Sequence, residues 1–330
     1  MKTLRLHGPG DLRFHDESVP VPKAGEKLLR VTAVGICGSD LHWLNKAGVG
    51  DEWLSKPLVL GHEFTAETED GTRVTVDPAI SCGECEYCRR GDPNFCENLY
   101  FAGHGDEDGA MCERLAWPER CLYPLPEAIS NVKGALLEPL GIAMQAVDLA
   151  HLKLGMTIGV FGCGPIGLLI IQLARLSGAS KVVATDVLPQ RVEAARSFGV
   201  DEACLVEPGS VTPPEAICGG RGLDVAFEAA GDNAAVEMAV EAARPGGKVI
   251  LVGIPADDRT AFNASTARRK GLTLKLVRRM KFTYPRAIQL VESGKVDVRS
   301  LVTHSFPFEQ AVEAFVVAAR REGLKVIITL

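Results

Sequence analysis

Hydrophobic and polar positions change period several times along this chain of 330 residues. Residues 1–36 alternate as strands do, broken by turn residues such as Pro20, Pro22 and Gly25, and 27–34 is the clearest strand among them. Residues 158–161 are continuously apolar, the pattern of a parallel strand buried on both faces. Ile166, Leu169, Ile170 and Leu173 then recur at helical spacing, and 181–185 form a second apolar run. The alternation continues with a helix over 190–198, strands over 203–206 and 224–227, and a helix over 233–244. A turn at 245–247 leads into a strand over 248–252, and a sixth strand covers 272–277. Residues 257–271 are polar and weakly periodic, so that crossover is expected to be irregular. Helices over 285–293 and 308–320 and a strand over 324–329 close the chain. Six strands with interleaved helices predict an α/β fold with a doubly wound parallel sheet.

The first turn of that sheet carries a pattern of its own. Gly162, Gly164 and Gly167 form G-x-G-x-x-G between the strand and the helix, and the second strand ends in Asp186. The first glycine permits the tight turn, the second lets backbone approach a pyrophosphate, and the third lets helix and strand pack closely. Pro165 and Ile166 open the helix, where a missing N–H costs nothing and the free N–H groups face the phosphates. Asp186 stands at the usual distance, about 20 residues on, for a carboxylate that holds a ribose hydroxyl. An ordinary βαβ turn would not need the strand, glycines, helix and acid all in register, so dinucleotide binding is the reading. The acid favours NAD over NADP by repelling a 2′-phosphate, an effect the nearby Arg191 could partly offset.

Composition narrows the possibilities. The 46% hydrophobic and 24% charged residues are those of a globular protein long enough for about two domains. A net charge of −6 gives no global basic field to attract nucleic acid. No stretch has the signature of a signal peptide or a membrane span, and a cytoplasmic protein is expected. In that compartment the 10 cysteines point to metal rather than to disulfides.

Cys82, Cys85, Cys88 and Cys96 follow C-x2-C-x2-C-x7-C, a set of thiolates suited to a closed tetrahedral zinc site. Disulfides or an iron–sulfur cluster are the alternatives. Earlier, Gly35 to His42 reads GICGSDLH and places the Cys37 thiol on a constrained turn, with Ser39, Asp40 and His42 close by. His62 and Glu63 follow in GHE, and Glu138 stands in the apolar run LLEPL. Singly, Cys37 could be a small core residue, His62 a satisfied core histidine, and Glu138 a helix-surface charge. Together, Cys, His and Glu are a ligand set suited to zinc.

These motifs, in this order and over nearly the whole chain, resemble the medium-chain zinc-dependent alcohol dehydrogenase superfamily, and most closely its polyol (sorbitol/xylitol) dehydrogenase branch. The carrying stretches are GICGSD, GHE, the four-cysteine lobe, LLEPL, FGCGPIG and LVTHSFPFEQAVEAF. The resemblance implies a β-rich GroES-like catalytic domain of residues 1–140 and 280–330, with an NAD-binding Rossmann domain of residues 141–279 inserted. Cys37, His62 and Glu63 would hold a catalytic zinc. Glu138 would touch that metal or its water, where alcohol dehydrogenases proper have a second cysteine. The four-cysteine lobe would hold a structural zinc, giving two per chain. Asp40 would orient His62, and Ser39, His42 and Glu138 would carry the alcohol proton.

Two departures stand out. The hairpin after GHEF is short, with only TAETEDGT before the strand at 73–77. Where many polyol enzymes have Phe-Arg-Tyr, this chain has Arg278, Arg279 and Met280, which keeps the arginine and loses the tyrosine. Arg279, Trp43 and Phe101 are the expected substrate-pocket residues. The expected reaction is oxidation of a secondary alcohol of a polyol to a ketose, with hydride passing to NAD. The alternatives are an aldose, L-threonine or a butanediol as substrate, or an inactive dinucleotide-binding scaffold. Neither nucleic acid nor membrane is expected as a partner, and the resemblance implies a homo-oligomer, a tetramer.

Overall fold

The computed structural model describes residues 1–211 and 220–330. The chain divides into two compact units, one of residues 1–141 with 281–330 and one of residues 142–280. The division falls inside the helix Leu137–Ala150.

The first unit is built on a seven-stranded sheet. Its path runs Leu122–Pro124, Arg73–Val76, Glu63–Thr68, Glu26–Gly35, Lys325–Thr329 and Val302–Pro307, and Arg114–Pro118 also pairs with Glu26–Gly35. The long strand Glu26–Gly35 is central because Leu29, Val31, Ala33 and Val34 are all buried. It meets Glu63–Thr68 antiparallel with Gly35 opposite Glu63, and it meets Lys325–Thr329 with Gly35 opposite Ile327. The C-terminal strand is therefore hydrogen-bonded to the strand that leads into Cys37, and Glu63 stands on the strand at the other edge of that same strand. A smaller sheet of Asp11–Asp16, Lys2–Gly8 and Leu58–Val59 packs its Leu4, Leu6 and Leu58 into the same core.

The second unit is a six-stranded sheet in which every pairing is parallel. Its order is Glu202–Leu205, Lys181–Asp186, Thr157–Phe161, Leu223–Glu228, Ala243–Leu251 and Thr273–Leu276, that is 3-2-1-4-5-6. The apolar runs are covered on both faces: Ile158, Val160 and Phe161, then Val182, Val183 and Ala184, then Val225, Ala226 and Phe227 are at most 1% exposed.

Two local expectations change. The crossover over 257–271 contains a helix, Ala264–Lys270. Its apolar face is too short to show a period, but its ends are marked. The Asn263 side chain accepts from the Thr266 N–H, and Gly271 closes the helix in the left-handed region. The strand expected over 248–252 begins at Ala243, because Pro245-Gly246-Gly247 is no free turn. It is a bulge, across which the register with Leu223–Glu228 shifts. Among the described residues, no helix is long and apolar enough to cross a membrane.

Candidate active site

Cys37 sits where the strand Glu26–Gly35 gives way to the helix Gly38–Lys46, as the residue capping that helix. The Asp40 carboxylate accepts from the Cys37 N–H at 2.8 Å through Oδ2 and from the Gly61 N–H at 3.3 Å through Oδ1. One buried side chain thus ties the thiol-bearing turn to the GHE segment. Its Oδ1 lies 3.6 Å from His62 Nδ1, beyond hydrogen-bond distance, and that nitrogen is buried with no hydrogen-bond partner. The expected orientation of His62 by Asp40 thus runs through the Gly61 N–H just before it and through the charge of the carboxyl nearby.

One ligand atom each from Cys37, His62 and Glu63 lies within 4.8 Å of the other two. Gly35 makes room for this, since a Cβ there would run into Glu63 Oε2. Glu138, in the first turn of the helix Leu137–Ala150, is buried within electrostatic reach of all three. Burial first, and then the Glu63 carboxylate, push the Cys37 thiol up to about 12. Burial, and then Glu63 and Cys37 against the opposing pull of His62, raise Glu138 to about 8. Burial also raises Asp40.

The cation facing this group comes from a residue the sequence reading passed over. Lys325 Nζ donates to Glu63 Oε1 at 2.8 Å, to Glu63 Oε2 at 2.6 Å and to the Ile36 carbonyl at 3.0 Å. Burial opposes its charge, but Glu63 and Cys37 outweigh that and hold its pKa above the ordinary lysine value. Two buried carboxyl groups, Glu63 and Glu138, and the Cys37 thiol thus share one lysine. A divalent cation would relieve that imbalance and give His62 Nδ1 or its ring partner something to bind, so the residues fit a zinc ion. No local sequence signal marks Lys325: it opens the strand Lys325–Thr329, and only the fold makes it 4% exposed.

Around these groups, Phe101 places its ring 5.2 Å from that of His62, and His104 packs against both, at 5.1 and 5.3 Å. Trp43, expected at the pocket wall, is instead fully buried in the core, because its face of the helix Gly38–Lys46 turns inward. It meets this neighbourhood through His104, donating from Nε1 to Nδ1 at 3.4 Å. Ser39 is buried beside Cys37, whose thiol its hydroxyl pulls down slightly against the effect of burial, and His42 is half-buried on the same helix. Arg279 lies in the second unit with φ +52°, a left-handed backbone uncommon for arginine.

The four-cysteine lobe closes without disulfides. All four cysteines are free, and their sulfurs lie within 4.8 Å of one another, with Cys82 at 4.0 Å from Cys88 and 3.5 Å from Cys96. A tetrahedron with Zn–S bonds of about 2.3 Å has edges of about 3.8 Å. Backbone N–H groups of Glu84 and Cys85 draw the Cys82 thiol down to about 6, toward the thiolate a metal takes.

In the second unit, Gly162 has φ +104°, and a Cβ there would come within 2.7 Å of the Ala230 nitrogen. A Cβ at Gly167 would collide with the Gly162 carbonyl. Gly164 caps the helix Pro165–Leu176, so Pro165 and Ile166 form its first turn as expected. Asp186 accepts from the Cys163 N–H at 2.7 Å and the Leu188 N–H at 2.9 Å, which leaves each carboxylate oxygen a further lone pair. Arg191 brings a guanidinium nitrogen 3.6 Å from where a Gly164 Cβ would stand. Turn, helix end and acid together fit a dinucleotide.

A family model for the alcohol dehydrogenase GroES-like domain matches residues 23–127, and one for zinc-binding dehydrogenases matches residues 165–293. Sorbitol dehydrogenase of Bacillus subtilis (strain 168) is 33% identical to this chain, over 99% of this chain and 97% of that protein. The probable D-xylulose reductase A of Arthroderma otae is 35% identical, over 98% and 95%. Among solved structures, L-idonate 5-dehydrogenase from Escherichia coli superposes with a TM-score of 0.92 at 25% identity, covering 100% of this chain and 98% of that one. Galactitol-1-phosphate dehydrogenase from Escherichia coli gives 0.90 at 26% identity, covering 100% of both. A dehydrogenase from Sinorhizobium meliloti 1021 bound to NADP gives 0.90 at 29%, covering 100% and 99%.

Proposed function

Since the chain belongs to the medium-chain zinc-dependent alcohol dehydrogenase superfamily, in its polyol dehydrogenase branch, we propose that it oxidises a secondary alcohol flanked by further hydroxyls to a ketose, with NAD as hydride acceptor. The observation that carries this is Glu138: a buried carboxylate beside Cys37, His62 and Glu63, where a pocket for plain alcohols has no need of one. A polyol presents a second hydroxyl next to the reacting one, and burying it unpaired costs about 1–3 kcal/mol. Glu138 accepts such a hydroxyl, and Arg279 is the proposed second partner as a donor.

Cys37, His62 and Glu63 are the proposed ligands of a catalytic zinc, with Glu138 beside it, and Cys82, Cys85, Cys88 and Cys96 those of a structural one. When bound, zinc supplies a Lewis acid that brings an alcohol proton within reach of neutral pH. The chain does the rest. Lys325 fixes both oxygens of Glu63, Asp40 fixes the turn that presents Cys37, and Phe101 walls the site against water beside His62. Ser39 and Glu138, the latter once the charge of a bound cation has drawn its pKa back down, are the proposed acceptors of the alcohol proton, and half-buried His42 is the proposed route outward. Gly162, Gly164 and Gly167 leave the backbone bare for the pyrophosphate, and Asp186 holds the adenosine ribose.

The test is a spectrophotometric screen of sorbitol, xylitol, L-threonine, a butanediol and 2-butanol with NAD and with NADP, repeated on Arg279→Ala. A selective fall in kcat/KM on the polyols, about tenfold for each 1.4 kcal/mol lost, supports the proposal. A wild type that prefers 2-butanol ends the polyol reading. One that prefers NADP ends the role given to Asp186 and points to Arg191 as a phosphate partner.

A further inference from the structure

His7 and His15 belong to neither proposed zinc site and take no part in the proposed reaction. They belong to the antiparallel strands Lys2–Gly8 and Asp11–Asp16 of the small N-terminal sheet, where a register shift between Leu6 and Gly8 falls at His7 itself. Leu4 and Leu6 are turned into the core, so Thr3, Arg5 and His7 share the opposite face, and Arg13 and His15 stand across from that face on the partner strand. Both imidazoles reach over this face toward each other, with Nε2 of one 2.8 Å from Nε2 of the other and the rings 27° apart. A contact of that kind needs one N–H donor and one bare nitrogen, so the pair holds a single proton between two basic atoms and has no place for a second.

The surroundings favour a cation at that point. Arg5 is bound by both Glu17 and Asp108, and Arg13 by Asp11; of these carboxylates Glu17 lies within electrostatic reach of His15, and Asp11 of His7. Both histidines are only partly buried, which leaves room for water to complete a coordination shell.

We infer that His7 and His15 form a third metal site, a two-histidine chelate on the N-terminal hairpin for a divalent ion of the zinc, nickel and copper class. Metal–imidazole bonds of about 2.0–2.1 Å at a tetrahedral angle set the two nitrogens about 3.3 Å apart, so the pair opens by about 0.5 Å as the ion replaces the shared proton. Neutral imidazole is a ligand these ions favour, and magnesium or calcium, which prefer oxygen, are not expected to bind.

The experiment is calorimetric titration of Ni2+ into zinc-loaded protein, with zinc content measured in the same samples before and after. Wild type is expected to take up one additional ion per chain with its zinc retained. His7→Gln and His15→Gln are each expected to weaken that uptake by at least about tenfold, equivalent to about 1.4 kcal/mol. Neither variant should change dehydrogenase activity measured without added nickel. An uptake matched by zinc release, no additional ion in wild type, or uptake that survives both substitutions overturns the inference.

Discussion

Lys325 and Glu63 form a buried ion pair with side chains 4% and 1% exposed, and at that depth the two are worth more to each other than either is alone. Removing one partner of such a pair leaves an uncompensated charge and costs about 3–5 kcal/mol. Lys325→Met is therefore expected to lower unfolding stability by about that much, and Lys325→Met with Glu63→Gln should recover most of it. Urea unfolding of the two variants and the wild type checks this. A single-variant loss below about 1 kcal/mol would show that the pair does not organise the site. Cys37→Ser acts differently. Metal analysis should find one zinc fewer per chain and activity near background, with the circular dichroism spectrum intact. Cys37, His62, Glu63 and Glu138 were visible in the sequence because each stands in a short motif whose residue types suit a metal. Lys325 was invisible because nothing local distinguishes a strand lysine that will be buried from one that will not.

Among the elements, the glycine turn and the cysteine lobe carry separate jobs and should fail separately. Gly167→Ala places a methyl against the Gly162 carbonyl, so the helix Pro165–Leu176 must move away from its strand. The expected outcome is a stability loss of about 1–3 kcal/mol and at least about tenfold weaker dinucleotide binding, read by quenching of protein fluorescence. Unchanged binding would mean that the turn does not receive the cofactor. Cys85→Ser should cost the other zinc and lower the melting temperature, with a smaller effect on kcat than on the half-life at elevated temperature. A wild type holding only one zinc would remove the basis for both cysteine predictions. The helix Ala264–Lys270 shows the limit of periodicity as a guide: a seven-residue helix buries only Ala267, so its caps are a stronger signal than its faces.

At the scale of a whole unit, Asp224 ties the parallel sheet together. It accepts from the Thr157 N–H at 2.9 Å and from Arg221 and Arg244 at 2.6 Å each, with its side chain 5% exposed. Burial alone would raise its pKa, but the Thr157 N–H and Arg244 outweigh that and hold the carboxyl below its ordinary value. A carboxyl lowered by folding contributes stability that is complete above its unfolded pKa of about 3.9 and fades as pH falls through the folded value. Asp224→Asn should therefore destabilise most at pH 6–7, by about 1–3 kcal/mol, and progressively less below about pH 4. Denaturant midpoints of both proteins across that range decide it. A difference that does not shrink on acidification would assign the loss to packing.

The sequence by itself determined the layers. Short continuous apolar runs bounded by turn residues read as strands covered on both faces, and alternating ones as strands with a single buried face, so the parallel sheet and the strand-rich ends follow from period together with run length and flanking residues. It also brought the candidate donor sets into view, because a metal site needs particular residue types, and the fold gathers Cys37, His62 and Glu63 in one place and the four cysteines in another as the proposed zinc ligands. Tertiary structure decided which side chains meet. Residues 325 and 63 lie far apart in the chain, and their contact exists because the C-terminal strand pairs with Glu26–Gly35, which pairs in turn with Glu63–Thr68. The same holds for Trp43, whose place in the core depends on which way one short helix turns, and for the two histidines joined across the N-terminal hairpin. Periodicity fixes which face of an element is buried. It carries no information about what the next element will bring against that face, because that depends on pairings between segments distant in sequence.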